Sequence, residues 1–71
     1  RRNNANFAVI VPNLIGVEAI QAKTLLIQAG FLIKEFYDLD AAQPIGVVIR
    51  QAPEAGTTQT IGKSVTITIN E

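Results

Sequence analysis

Glu18-Ala19-Ile20-Gln21-Ala22-Lys23-Thr24-Leu25-Leu26-Ile27-Gln28-Ala29-Gly30-Phe31-Leu32-Ile33-Lys34-Glu35-Phe36-Tyr37 is the stretch on which the fold turns. Up to Ala29 the apolar positions recur at helical spacing. At ~100° per residue Ala19, Ala22, Leu25, Leu26 and Ala29 gather on one face, with Gln21, Thr24 and Gln28 opposite. No Gly or Pro interrupts, and Ala, Leu, Gln and Lys are strong helix formers. The small residues on the inner face let such a helix lie close against a sheet. Gly30 stands where a left-handed residue is wanted just past a helix end. Beyond it the period falls to about 2, and Phe31–Tyr37 reads as a strand. The helix start is weaker. Glu18 occupies a position that prefers Ser, Thr or Asp, which leaves Gln21 to reach back as half a capping box.

Downstream, Asp38 to Pro44 reads as a loop and Gly46–Gln51 as a second strand. Pro53-Glu54-Ala55-Gly56 has the residues of a tight turn. Thr57–Ile61 is β-prone but polar, and Gly62-Lys63 breaks it. Ser64-Val65-Thr66-Ile67-Thr68-Ile69-Asn70 then alternates cleanly, so Val65, Ile67 and Ile69 should face the helix, with Thr66 and Thr68 outward. Upstream, Arg1 to Asn6 is polar and unpatterned, as in a tail or linker. Phe7–Val11 is a short apolar run stopped by Pro12, either an extended lead-in or an edge strand. The predicted architecture is α+β: a single helix packed on one face of a small, mainly antiparallel three-stranded sheet. Residues 1–10 form the tail or linker with its edge segment, and 11–70 the domain.

Composition excludes more than it assigns. The chain has 71 residues, six Lys+Arg, six Asp+Glu, no His and no Cys. Without Cys there is no disulfide, and without both Cys and His the usual zinc sites, triads and Cys–His dyads cannot be assembled. The basic residues are scattered singly apart from Arg1-Arg2, so no stripe for nucleic acid exists. No apolar run approaches a membrane span and no signal peptide is recognisable. The absence of Met fits a segment of a longer or processed protein. At this size one core is affordable, with few buried polar compromises.

The order of motifs is that of a known module. Val11-Pro12-Asn13-Leu14-Ile15-Gly16, then Ala22, Leu25-Leu26 and Ala29-Gly30-Phe31, resembles the opening of a PASTA domain (penicillin-binding protein and serine/threonine kinase associated). Gly46-Val47-Val48-Ile49-Arg50-Gln51-Ala52-Pro53-Glu54-Ala55-Gly56, followed by Gly62-Lys63-Ser64-Val65-Thr66-Ile67-Thr68-Ile69, resembles its second half. Each piece alone is weak; both in order, over residues 11 to 70, are specific. The resemblance implies a helix on a three-stranded sheet and an extracytoplasmic bacterial module, at the cell surface or in the periplasm, within a larger, membrane-anchored protein. It implies tandem copies in Ser/Thr kinases, penicillin-binding proteins or PASTA-only proteins. It also implies weak binding of muropeptide, peptidoglycan stem peptide or β-lactam, with no catalytic residues, cofactor or metal to carry over. A structural spacer or domain-contact module without a wall ligand is the alternative.

Within that frame Pro12, Gly16, Gly30, Gly46, Pro53, Gly56 and Gly62 are structural residues of turns and caps. The candidate ligand contacts are Arg50, Gln51 and Glu54. Arg50 lies on the strand phase opposite Ile49 and should be solvated, free to clamp a carboxylate. Gln51 shares the phase of Ile49, so its amide either satisfies loop carbonyls or meets a ligand. Asp38 and Asp40 read as solvated loop acids rather than a cation site. Ile20 and Ile27 depart from the family pattern, which carries polar residues there. They lie about 130° from the centre of the inner helix face by the ~100° rule. Strict alternation likewise puts Leu32 and Phe36 outside. Either Phe7–Ile10 folds back over some of these residues, or they contact a neighbouring copy in the same chain or a second chain.

Overall fold

The computed structural model describes residues 8–71, with β1 (Ala8–Ile10), α1 (Ala19–Ala29), β2 (Leu32–Asp38), β3 (Val48–Ala52), β4 (Thr58–Thr60) and β5 (Ser64–Asn70). The tail reading over residues 1–6, and Phe7 at the start of the edge segment, lie outside the described residues. β5 is the centre of a three-stranded sheet ordered β2-β5-β3. Its Val65, Ile67 and Ile69 are buried while Thr66 and Thr68 are only half-buried, as their alternation predicts. These three side chains share the core with Val11, Leu14, Ala22, Leu26, Phe31 and Val48. The helix thus covers one face of the sheet, and the opposite face is open apart from the Asn70 end, where the 39–45 loop covers it.

β3 and β5 pair antiparallel, as do β1 and β4, which form a separate two-stranded ribbon. β2 and β5 run parallel, from Leu32 opposite Ser64 to Asp38 opposite Asn70. Parallel neighbours need a long crossover, and the chain from Leu39 through β3 and β4 supplies it. The ribbon of β1 and β4 makes a strand of Thr58–Thr60, within the β-prone but polar segment Thr57–Ile61.

α1 begins one residue after Glu18, whose backbone is extended and whose side chain caps nothing. The half capping box is therefore not made. Instead the Ala19 N–H donates to the Gly46 carbonyl at 2.9 Å, and Glu18 bridges Val47. Gly46 and Val47 serve the helix start, and this is why β3 begins at Val48 rather than at Gly46. At the other end Gly30 has φ 93°, its N–H donating to Ile27 and that of Phe31 to Leu26, both at 3.0 Å. That is the left-handed stop read from the sequence. A β-carbon at Gly30 would also come 3.2 Å from Ile61 Cγ2, so the position excludes larger residues twice over. No helix of the described residues is long and apolar enough to cross a membrane.

The four apolar residues singled out on the helix flank and first strand are exposed: Ile20 80%, Ile27 66%, Leu32 61% and Phe36 57%. Ala8–Ile10 pairs with β4 and does not cover them.

Candidate functional site

The three candidate ligand contacts converge. Arg50, Gln51 and Glu54 line one open hollow of about 400 Å³, with Asn13 and Ile15 from the loop before α1 and Ile49 and Ala55 beside them. The convergence follows from Gln51. Its Oε1 accepts the Leu14 N–H at 2.8 Å, and its Nε2 donates to the Pro12 carbonyl at 3.0 Å and the Pro53 carbonyl at 3.2 Å. One amide thereby ties the loop at 12–14 to β3 and to the turn at Pro53, where backbone groups would otherwise go unpaired. Both amide hydrogens are committed. Of the two sequence readings of Gln51, the one in which it satisfies loop carbonyls is the geometry seen.

The rim of the hollow is held by short local bonds. Asn13 Oδ1 accepts the Ile15 N–H at 3.2 Å, an Asx turn. Thr57 Oγ1 donates to the Glu54 carbonyl at 2.7 Å, and the Gly56 N–H donates to Val11 at 2.9 Å. The Glu54 side chain is left exposed on the rim, with no ion pair among the described residues.

Arg50 is exposed, as its strand phase predicts, but its guanidinium has a partner within the chain. Its guanidinium donates to Asp38 Oδ2 at 2.6 Å, spanning β5 on the open face of the sheet. Arg50 is opposite Thr68 and Asp38 opposite Asn70, so the two outer strands place these side chains on the same face. The Arg50 hydrogen bond, helped by the Leu39 N–H, holds the Asp38 carboxyl below its ordinary range. Both side chains remain more than half exposed, so the pair is screened and competes with water. Asp40 is not a free acid either: its Oδ1 accepts the Ala42 N–H at 3.0 Å and shapes the loop. Among the described residues no group of three acids stands close enough to hold a metal ion.

Two polar groups escaped the sequence reading. Asn70 is buried, and its Nδ2 lies 2.9 Å from each of the carbonyls of Asp40, Gln43 and Pro44 while its Oδ1 accepts the Asp40 N–H at 2.8 Å. It fastens the 39–45 loop to the end of β5. The only hint was a polar residue ending an alternating strand on the phase opposite the core. Glu35 sits on the helix side of β2, 3.0 Å from Lys23 Nζ on α1, and accepts the Tyr37 hydroxyl at 3.0 Å. The hydrogen bond from Lys23, then that from Tyr37, lowers the Glu35 carboxyl; Glu35 in turn raises the Tyr37 hydroxyl.

The sequence matches the PASTA domain family over residues 9–71. No curated protein matches it. Among solved structures it is similar to the entire extracellular region of the Ser/Thr kinase PrkC from Staphylococcus aureus. There the TM-score is 0.85 at 22% identity, over 92% of this chain and 23% of that one. A three-PASTA-domain structure of a Ser/Thr kinase from Staphylococcus aureus gives a TM-score of 0.84 at 20% identity, over 92% of this chain and 32% of that one. This chain therefore spans between about a quarter and a third of the length of those proteins.

Proposed function

The chain belongs to the PASTA family, and we propose that it is a non-catalytic, extracytoplasmic module of a larger bacterial surface protein that recognises peptidoglycan fragments or β-lactams. The host in this reading is a Ser/Thr kinase, a penicillin-binding protein or a PASTA-only protein. The observation that carries the reading is the hollow beside β3. It is lined by a cationic and an anionic residue, Arg50 and Glu54, together with apolar Ile15, Ile49 and Ala55. Stem peptides carry carboxylates and amino groups on short aliphatic side chains, and a carboxylate can take the guanidinium donors that Asp38 does not use. Glu54 suits an ammonium. Gln51 acts by holding the two walls in place.

An open site with few desolvated contacts binds weakly, with Kd on the order of 0.1–1 mM for one copy. Tandem copies would raise the effect by avidity. Titration of the ¹⁵N-labelled chain with muropeptide should shift the amide resonances of Asn13–Ile15 and Arg50–Gly56, and Arg50→Ala should remove the shifts. Unmoved resonances at millimolar muropeptide would sink this reading. The spacer reading draws its support from the Arg50–Asp38 pair, which already occupies the cation that a wall carboxylate would need.

A further inference from the structure

β2 is an edge strand whose far side has no partner among the described residues. The Leu32 N–H donates to Lys63 and the Asp38 carbonyl accepts from Glu71, both at 2.9 Å. In a parallel ladder these bonds alternate. The main-chain groups of Leu32, Lys34, Phe36 and Asp38 are therefore spent on β5, while those of Ile33, Glu35 and Tyr37 point out to the free edge. Seven residues of exposed ladder are a template for another strand unless something blocks them. There is no proline or glycine in β2, and no bulge interrupts its pairing with β5.

The side chains choose the strand that fits. A second β2 can approach antiparallel about a two-fold axis, with the outward-pointing residues forming the hydrogen-bonded pairs. Centring the axis on Glu35 sets two carboxylates opposite each other, and centring it on Lys34 sets two ammoniums opposite. Centring it on Phe36 removes both conflicts. Phe36 then meets its own copy at a close, non-hydrogen-bonded pair on the open face. Lys34, which has no ion pair among the described residues, meets Asp38 of the other copy, twice over. Glu35 meets Tyr37, its hydrogen-bond partner within the chain.

The helices agree with this register. Of the strands, β2 lies nearest α1, and Lys23 reaches Glu35. Ile20 and Ile27 sit on the Lys23 side of the helix and are exposed, Ile20 beside Ile45 and Gly46. A rise of ~1.5 Å per helical residue against ~3.3 Å per strand residue puts Ile20 level with Phe36 and Tyr37 along the strand. A helix seated over β2 and β5 would stand about 10 Å from its two-fold mate across the seam, the distance at which helices pack. The geometry points to an interface with a second copy of this chain: β2 edges joined antiparallel about Phe36 into a six-stranded sheet, with Lys34 on Asp38.

The inference is independent of the wall ligand and is tested without one. Sedimentation of the 71-residue chain from micromolar to millimolar concentration should show a monomer–dimer equilibrium that weakens with salt. Tyr37→Pro removes an edge-facing N–H and the exposed hydroxyl bond to Glu35 but no main-chain bond to β5, so circular dichroism should report an intact fold while the dimer is lost. Lys34→Asp should weaken association about tenfold by putting like charges opposite each other. Mixing the Lys34→Asp chain with the Asp38→Lys chain should recover it, because both pairs are then again of opposite sign. A chain that stays monomeric at millimolar concentration overturns the proposal. So does a dimer unaffected by Lys34→Asp, or by a folded Tyr37→Pro chain.

Discussion

β2 and β5 have the same length and are paired residue for residue, yet they solve different problems. β5 has a neighbour on each side and the helix above it, and every second side chain is buried without exception from Val65 to Ile69. β2 has a neighbour on one side only. Although four of its seven residues are apolar or aromatic, only Ile33 is even half-buried, and Leu32, Phe36 and Tyr37 are exposed. The same alternation of backbone thus gives a stability element in the middle of the sheet and a surface element at its edge. Position in the sheet, rather than hydrophobicity, decides which.

The contrast is broken most directly by truncating one residue on each strand. Ile67 is fully buried at the centre of β5. Ile67→Ala should cost about 3–4 kcal/mol through lost transfer energy and a cavity, enough to unfold much of a domain this small at 37 °C. Phe36→Ala, removing a larger side chain from β2, should cost less than about 1 kcal/mol in dilute solution. Urea unfolding of the two variants checks both values. Equal losses would mean that β2 is as much a part of the core as β5.

The ends of the two strands sharpen the comparison at a smaller scale. β5 closes on Asn70, which holds the 39–45 loop by four contacts, whereas β2 closes on Asp38, held by an exposed ion pair. Asn70→Ala strands an N–H and three carbonyls and should cost about 2 kcal/mol, with the largest amide shift changes at Asp40–Gly46. Stability unchanged by Asn70→Ala would show that water replaces the side chain there.

How much of this was legible in the sequence follows the same division. α1, its stop at Gly30 and the inward set Val65, Ile67 and Ile69 were readable because each depends on local periodicity or on one backbone requirement. The exposure of Ile20, Ile27, Leu32 and Phe36 was readable for the same reason. The parallel pairing of β2 with β5 was not, since register between strands separated by the whole crossover leaves no local trace. Nor were the partners of Arg50 and Asn70, which lie 12 to 30 residues away. The hollow was half legible: Arg50, Gln51 and Glu54 are close in sequence, but the wall formed by Asn13 and Ile15 reaches them only through the Gln51 amide.

The smallest expected effect belongs to the strap from β2 to β3. Because Arg50 and Leu39 hold the Asp38 carboxyl below its ordinary range, the folded chain keeps Asp38 ionised at acidities where the unfolded chain protonates it. The unfolded state therefore binds more protons there, and stability rises with pH through that interval. The contribution is complete above the ordinary aspartate value of about 4 and is lost as pH falls through the lower folded value. Glu35, lowered by Lys23 and Tyr37, acts in the same direction. Asp38→Asn should flatten the acid limb of the stability curve by lowering Tm slightly at neutral pH and leaving it unchanged at the acid end, a small loss because the pair is exposed and screened. Melting curves from pH 2 to 7 in low and high salt would show it. The decisive comparison is with Glu35→Gln: if only the Glu35 substitution alters the acid limb, the strap contributes nothing and the two outer strands are held by β5 alone.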